Sequence, residues 1–224
     1  MEYVILAAVI TLLVSILSSF RPAVTSKIDE NLFVVNCMFV NFYVLKINEK
    51  LVVFDTGTNR LFVKKGFKKL NLSPSDVTHI FLTHTDRDHA GGISAFPNAL
   101  LFLSSEEEQM INGQTAKKLF IYNKKIKENY QLLENNDILE IDDVTIKIII
   151  TPGHTTGSSI YIIDDTICVT GDLLQITRKQ KITQFMRLMN MNHKKNKESL
   201  DSVMGVLEDT KLILSGHTGI LKKS

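Results

Sequence analysis

Four side chains able to bind a cation crowd into the six positions from His84 to His89, in HTDRDH: His84, Asp86, Asp88 and His89. Three more potential donors follow singly, His154 in TPGHT, Asp172 in TGD and His217 in SGH. Seven nitrogen and oxygen donors without a cysteine suit zinc, iron or manganese, and a set this large suits two ions sharing one carboxylate. Taken singly, each residue could be a satisfied polar group of a surface turn. Taken in order, they point to metal-assisted chemistry.

Such donors must be carried by a rigid frame, and each comes just after a stretch with strand character. Residues 77–83 (VTHIFLT) deliver His84, residues 144–151 precede His154, residues 166–170 precede Asp172, and residues 211–214 precede His217. Upstream, residues 32–54 alternate short β-branched runs with turn residues such as Asn48-Glu49-Lys50, the pattern of a strand meander. Leu61, Phe62, Phe67 and Leu70 fall at helical spacing and predict a helix over 60–70. Ser105 with Glu108 predicts a capping box for a helix through Ile111, followed by a longer amphipathic helix over 115–133. Strands return at 138–141 and 159–163, and a last helix is expected over 197–208. Two batches of strands, each followed by helices, predict an α+β arrangement of sheets covered by helices.

The ordered motifs THTDRDHAGG, TPGHTTGS, TGDLL and LSGHTG, with VVFDTGTN upstream, resemble the metallo-β-lactamase superfamily of metallohydrolases. The likeness covers residues 32–219. It implies a four-layer αββα sandwich with the metals at one edge of the two sheets. It also implies that His84, Asp86 and His154 hold one ion, that Asp88, His89 and His217 hold the other, and that Asp172 bridges them. Asp88 would be the catalytic residue that orients the nucleophilic water, and Asp55 of the DTG turn would hold the ligand loops from behind. Gly91 and Gly92 would let the loop turn sharply beneath the site. The implied cofactor is two divalent ions, zinc in the first place, with iron or manganese compatible. The implied activity is attack by metal-bound hydroxide on an ester, thioester, amide-type or phosphoester bond of a small molecule.

Asp86 departs from the family's pattern, which has histidine there, so that HxHxDH becomes HxDxDH. A carboxylate adds negative charge to the first ion, which weakens it as a Lewis acid and raises the pKa of its bound water. As a harder donor it tilts the preference toward iron or manganese. Two alternatives stay open on this ground: an iron-dependent oxidoreductase of the same fold, and a non-catalytic metal-binding module with an empty first site. The single DTG also allows half of a dimeric aspartic protease, a reading that leaves the other donors unexplained. His79, inside a strand, reads as a packed histidine, and His193 as a loop histidine.

With 224 residues, of which 44% are apolar, the chain can bury a sizeable core and its length favours one domain. A net charge of +2 with 22% charged residues gives no field that would suit nucleic acid. Cys37 and Cys168 lie in apolar runs without CxxC or CxxH pairing and read as buried thiols, a single disulfide between them staying open. Between residues 176 and 197, basic side chains interleave with Phe185, Met186, Leu188, Met189 and Met191. That stretch reads as a solvated face over a packed apolar edge, or as a pocket flap favouring an anionic substrate or a membrane surface.

Residues 3–20 carry no charge, and at ~1.5 Å per residue a helix of that length nearly crosses the ~30 Å hydrocarbon layer. The segment reads as a membrane anchor or a signal peptide. No Lys or Arg precedes it and no A-x-A site follows, which favours an uncleaved transmembrane helix. Arg21 and Lys27 then place the rest of the chain on the cytoplasmic side, secretion after cleavage being the alternative. The expected organisation is an anchor or signal segment at 1–20, a linker at 21–31 and the metallo-β-lactamase-like domain at 32–224.

Overall fold

The computed structural model describes residues 18–223. A seven-stranded sheet runs in chain order: β1 (Ser26–Lys27), β2 (Leu32–Cys37), β3 (Val40–Ile47), β4 (Lys50–Phe54), β5 (Val77–Phe81), β6 (Leu100–Ser104) and β7 (Tyr130–Leu133). Its first half is an antiparallel meander, and β4 to β7 are parallel. The second sheet is built from β8 (Ile138–Ile141), β9 (Val144–Ile150), β10 (Ser159–Ile163), β11 (Ile167–Gly171), β14 (Leu212–Ser215) and β15 (Gly219–Lys222), in the order β15-β14-β11-β10-β9-β8. A separate hairpin pairs β12 (Leu174–Ile176) with β13 (Ile182–Gln184).

The strands are apolar on both faces because both faces are covered. On β3, Tyr43, Leu45 and Ile47 point between the sheets, where they meet Ile146, Ile148, Tyr161, Val169 and Leu214 of the second sheet. Phe42 and Val44 point the other way, toward Val63 and Phe67 of helix α1 (Arg60–Lys69). On the far side, Ile160, Ile162, Cys168 and Ile213 pack on Leu200, Val203 and Leu207 of the long helix α4 (His193–Asp209). Three apolar layers between helix, sheet, sheet and helix make the four-layer αββα sandwich. Two short helices, α2 (Arg87–Ala90) and α3 (Glu108–Ile111), sit at strand ends.

Local chemistry sets the helix limits. Asn59 caps α1, its Oδ1 accepting from the amides of Leu61 (2.9 Å) and Phe62 (3.2 Å), a contact whose loss costs about 1 kcal/mol. Asn192 caps α4 in the same way, so that helix starts at His193 rather than at the expected 197. The cap before α3 is Ser104, not Ser105: its Oγ accepts from Glu107 N, and a 3-10 turn over Ser105–Glu107 precedes the helix. No helix forms over 115–133. Leu119, Phe120, Ile121 and Tyr122 are four consecutive apolar residues, which no single helix face can bury, and all four are exposed. Leu119 has φ 46°, and an isolated bridge joins Lys118 to Ile121.

Cys37 and Cys168 are both buried and free, on opposite outer faces of the sandwich, which removes the disulfide alternative. Burial pushes the Cys37 thiol up to about 12 and that of Cys168 higher still.

The transmembrane helix is the main correction. Among the described residues no helix is long and apolar enough to cross a membrane, and residues 1–17, which hold most of the apolar run, lie outside the described residues. Where the run ends, Phe20 is half-buried against His217 and Phe39 instead of facing lipid. Arg21, whose charge suggested the orientation, donates its backbone amide to His217 O (2.8 Å) and its guanidinium to Ile176 O (2.5 Å). The single-pass anchor, and the membrane localisation and cytoplasmic side drawn from it, do not stand.

Candidate metal centre

The donors gather where strands of both sheets end. His84 to His89 follow β5, His154 follows β9, Asp172 follows β11 and His217 follows β14. The two sheet edges are fastened together there: Ser159 N donates to Thr83 O (2.8 Å), Tyr161 OH to Leu82 O (2.8 Å) and Tyr43 OH to Ser215 O (2.7 Å). The glycine pair serves close approach rather than unusual torsion. A Cβ on Gly91 would stand 2.1 Å from Thr58 O, and one on Gly92 would stand 2.1 Å from Thr56 O. The turn after β4 can therefore lie directly against α2.

Two trios of donor atoms result, each gathered within 4.8 Å: His84, His154 and Asp172 in the first, Asp88, His89 and His217 in the second. Asp172 lies between them. Its Oδ2 is 3.4 Å from His154 Nε2 and 3.2 Å from His217 Nε2, and its Oδ1 is 3.4 Å from His89 Nε2. Within the second trio, His217 Nε2 is 3.4 Å from Asp88 Oδ2 and 3.5 Å from His89 Nε2. Asp88 keeps a side-chain exposure of 23%, against 3% for Asp172, so it faces the open side.

All four imidazoles are buried and turn Nε2 inward, because each Nδ1 has a partner behind it. His89 Nδ1 bonds Asp55 Oδ2 (2.8 Å), and His217 Nδ1 donates to Phe39 O (2.7 Å). His154 Nδ1 meets Asn190 Oδ1 (3.2 Å), and His84 Nδ1 meets Thr83 Oγ1 (3.0 Å), whose own proton goes to Asp55. Two buried atoms have no hydrogen-bond partner among the described residues, His84 Nε2 and Asp172 Oδ1. Unpaired buried polar atoms are costly, and both point among the other donors. A divalent cation satisfies them, so the residues present fit the implied metals.

Electrostatics separates the two trios. Burial, with the charge of His89, lowers His84 to about 4 and leaves its ring neutral at physiological pH. Burial acts the same way on His89, but Asp172, Asp55 and Asp88 outweigh it and hold that ring well above its usual value. Asp172 and Asp88 likewise outweigh burial at His217 and raise it to about 9. Burial opposes ionisation of Asp88, yet His89 and His217 hold it down at about 2. Asp172 and Asp86 are held well below the carboxylate range by their histidine neighbours in spite of burial, Lys117 adding to the effect at Asp86.

Asp86 has a different set of contacts from the ligand its place in the motif implies. Its Oδ2 is 3.1 Å from His154 Nε2 and 3.5 Å from His84 Nε2, at the edge of the first trio. That same oxygen is bonded by Lys117 Nζ, and Oδ1 accepts from Asn123 Nδ2 at 3.1 Å. Lys117 Nζ also donates to His154 Nε2 at 3.0 Å. Neither Lys117 nor Asn123 was legible beforehand: Lys117 stands 31 positions from Asp86, in the segment expected to be helical.

Glu107 was missed as well. It is buried behind the first trio, where Oε1 accepts from Thr85 N (2.8 Å) and Thr85 Oγ1 (2.7 Å), and Oε2 accepts from Thr155 Oγ1 (2.6 Å) and Gly157 N (3.1 Å). Burial pushes its carboxyl up to about 7. Its only sequence signal is a glutamate just after a strand. Asp55 accepts from Thr83 N and Oγ1 as well as contacting His89, behind the ligand loop. His79 packs on β5 with its Nδ1 on Thr78 Oγ1, and His193 stands behind Asn190, its Nδ1 3.1 Å from Asn190 Nδ2. Of the stretch 176–197, Phe185 is buried between His154 and His217, with ring centroids 5.3 and 5.6 Å away. Phe20 stacks on His217 from closer, at 4.3 Å.

Comparison with known proteins agrees with this geometry. A family profile for the metallo-β-lactamase superfamily matches residues 35–217. A protein of Methanocaldococcus jannaschii described as a metallo-hydrolase is 29% identical over 174 residues, 77% of this chain and 73% of that one. A hydroxyacylglutathione hydrolase of Dictyostelium discoideum is 28% identical over 154 residues, 65% of this chain and 50% of that one, so the chain spans about half that relative's length. Among solved structures, a subclass B3 metallo-β-lactamase with an active-site glutamic acid superposes with a TM-score of 0.69 over 94% of this chain and 87% of that one. At 17% identity this is a likeness of fold.

Proposed function

The chain belongs to the metallo-β-lactamase superfamily and is a metallohydrolase, and from that premise we propose that it hydrolyses a small-molecule thioester, with esters as weaker substrates. The observation that carries the proposal is the pair of donor trios meeting at Asp172, with Asp88 alone of their carboxylates open to the outside. His84, His154 and Asp172 would hold one divalent ion, and Asp88, His89 and His217 the other. When bound, such ions supply an activated water at neutral pH and a Lewis acid for the acyl oxygen.

The chain's own residues do the rest. Asp88, the carboxylate on the open side of the site, accepts a hydrogen bond from the attacking water and aims it. Asp55, Asn190, Thr83 and the Phe39 carbonyl keep the four rings turned inward. Phe20, Phe39 and Phe185 cover the His217 side and exclude water from it.

The leaving group decides between bond types. Asp86, Asp88 and Asp172 are all held below the usual carboxylate range, so none of them carries a proton to give. A thiolate, with its ordinary pKa near 8.5, departs without one, whereas an amine does not. The Dictyostelium relative is named for an acylglutathione, which is a thioester. Imidazole and carboxylate donors without sulfur suit zinc as well as iron and manganese, and zinc is the first ion to supply. The test is metal analysis of the purified full chain, followed by a panel of thioester, ester, lactone, phosphodiester and β-lactam substrates. Thioester turnover lost to a chelator and restored by zinc is expected. Metal-dependent turnover of phosphodiesters alone, or of nothing in the panel, overturns the proposal.

A further inference from the structure

We propose that Lys117 is a resident cation of the first donor trio: its ammonium and a metal ion are alternative partners of His154 Nε2, so loading this trio evicts Lys117 and frees the segment 117–123. The inference rests on reading the trios as metal sites, and it concerns how unequally they fill.

One lone pair has two claimants. His154 Nδ1 is engaged by Asn190 Oδ1, which leaves Nε2 as the ring's inward acceptor. That atom receives Lys117 Nζ at 3.0 Å, and the same atom belongs to the first trio. An imidazole nitrogen cannot accept an N–H and ligate a metal at once. The ammonium also bonds Asp86 Oδ2, which stands within 3.5 Å of the inward nitrogens of both His84 and His154. The positive charge therefore lies against the donors that would share a metal.

The departure from histidine at position 86 now has a physical role. A neutral imidazole there would offer a lysine one acceptor and no charge, whereas a carboxylate offers two oxygens and a negative charge. Both oxygens are used, one for Lys117 and the other for Asn123. These two residues are the feet of a short excursion whose tip is almost bare: Leu119 and Phe120 are 88% and 90% exposed. Besides the feet, Lys118 Nζ donates to Leu188 O. With its tip unpacked, the excursion depends on polar contacts, and Lys117 supplies an ion pair among them.

The second trio holds no such competitor among the described residues. Its histidines face Asp88 and Asp172, and the groups behind them are Asp55 and the Phe39 carbonyl. The two trios should therefore fill in sequence.

The experiment is a zinc titration of the metal-free full chain against a chromophoric chelator, run on the wild type, Lys117→Met and Asn123→Ala. The wild type is expected to bind one ion tightly and a second about 100-fold more weakly, and Lys117→Met to bring the two within about tenfold. Asn123→Ala removes a foot but not the charge and should leave the ratio close to that of the wild type. Two equally tight ions in the wild type overturn the proposal. So does an unchanged ratio in Lys117→Met, or an equal effect of Asn123→Ala. Trypsin supplies a readout that needs no variant, because Lys118, Lys124 and Lys125 are exposed. Cleavage there should accelerate as the second equivalent of zinc binds, and cleavage indifferent to that equivalent overturns the eviction. Unequal filling without thioester turnover would sink the proposed reaction and leave this inference standing; turnover with two equally tight ions would do the reverse.

Discussion

Asp55 at the end of β4 and Glu107 just after β6 flank the strand that delivers His84, and they grip its end from opposite sides. Asp55 takes the amide and hydroxyl of Thr83, and Glu107 takes those of Thr85. Beyond this shared task they diverge. Asp55 goes on to bond a ligand ring directly, at His89 Nδ1, whereas Glu107 goes on to Thr155 and Gly157, the backbone neighbourhood of His154. A buried carboxylate thus touches a ring of the second trio directly and reaches the first trio only through its loops.

Removing what the two regions share should have the largest effect. Asp172→Ala takes a donor from both sides at once and should lower turnover about 10³-fold, with bound zinc falling below one ion per chain. Retention of one tight ion and most of the activity would show that the regions are independent. Next comes the carboxyl that burial perturbs. Glu107 has a folded-state value of about 7 against an ordinary 4.5, so folding favours its protonated form. The stability it contributes is full below pH 4.5 and is lost as pH rises through 7, by about 3 kcal/mol in all. Urea midpoints of the metal-free chain between pH 4.5 and 8 should reveal that slope as the difference between wild type and Glu107→Gln. Parallel curves would put Glu107 on the same footing as an ordinary exposed glutamate.

Asp55→Ala should weaken the ion held by the second trio by about 10- to 100-fold, measured by chelator competition. Equal weakening of both ions would mean that the grip on Thr83 outweighs the bond to His89. The smallest effect is expected from Asn190→Ala, which removes one neutral hydrogen bond behind His154, worth about 1 kcal/mol and so less than tenfold in first-trio affinity. A larger loss there would make the first trio as dependent on ring orientation as the second.

The strands and their ends were legible because each rests on local periodicity, and the donors follow those ends closely in the chain. Tyr43, Phe42 and their neighbours are apolar on both faces of β3, and that pattern already implies a sheet covered twice. What escaped was everything held by contacts distant in sequence. Lys117 and Asn123 sit in a lysine-rich stretch whose composition favours a helix, and Asp86, which holds its feet, lies more than 30 positions away. Glu107 looked like one of three consecutive glutamates, distinguished from Glu106 and Glu108 only by where the end of β6 aims it. Phe20, at the end of the apolar run, misled for a related reason: hydropathy registers that a residue avoids water, not whether lipid or a neighbouring histidine ring covers it.

Phe20 closes that run and lies face to face with His217 at 4.3 Å. For protein engineering this moves a boundary. A fusion, tag or trimmed gene that starts at residue 21 looks harmless by sequence, since the first long strand lies downstream. It would nevertheless strip one of three aromatic rings from beside His217, the imidazole proposed to hold a metal, so kinetic constants obtained from such a fragment should be compared with those of the full chain before they are used.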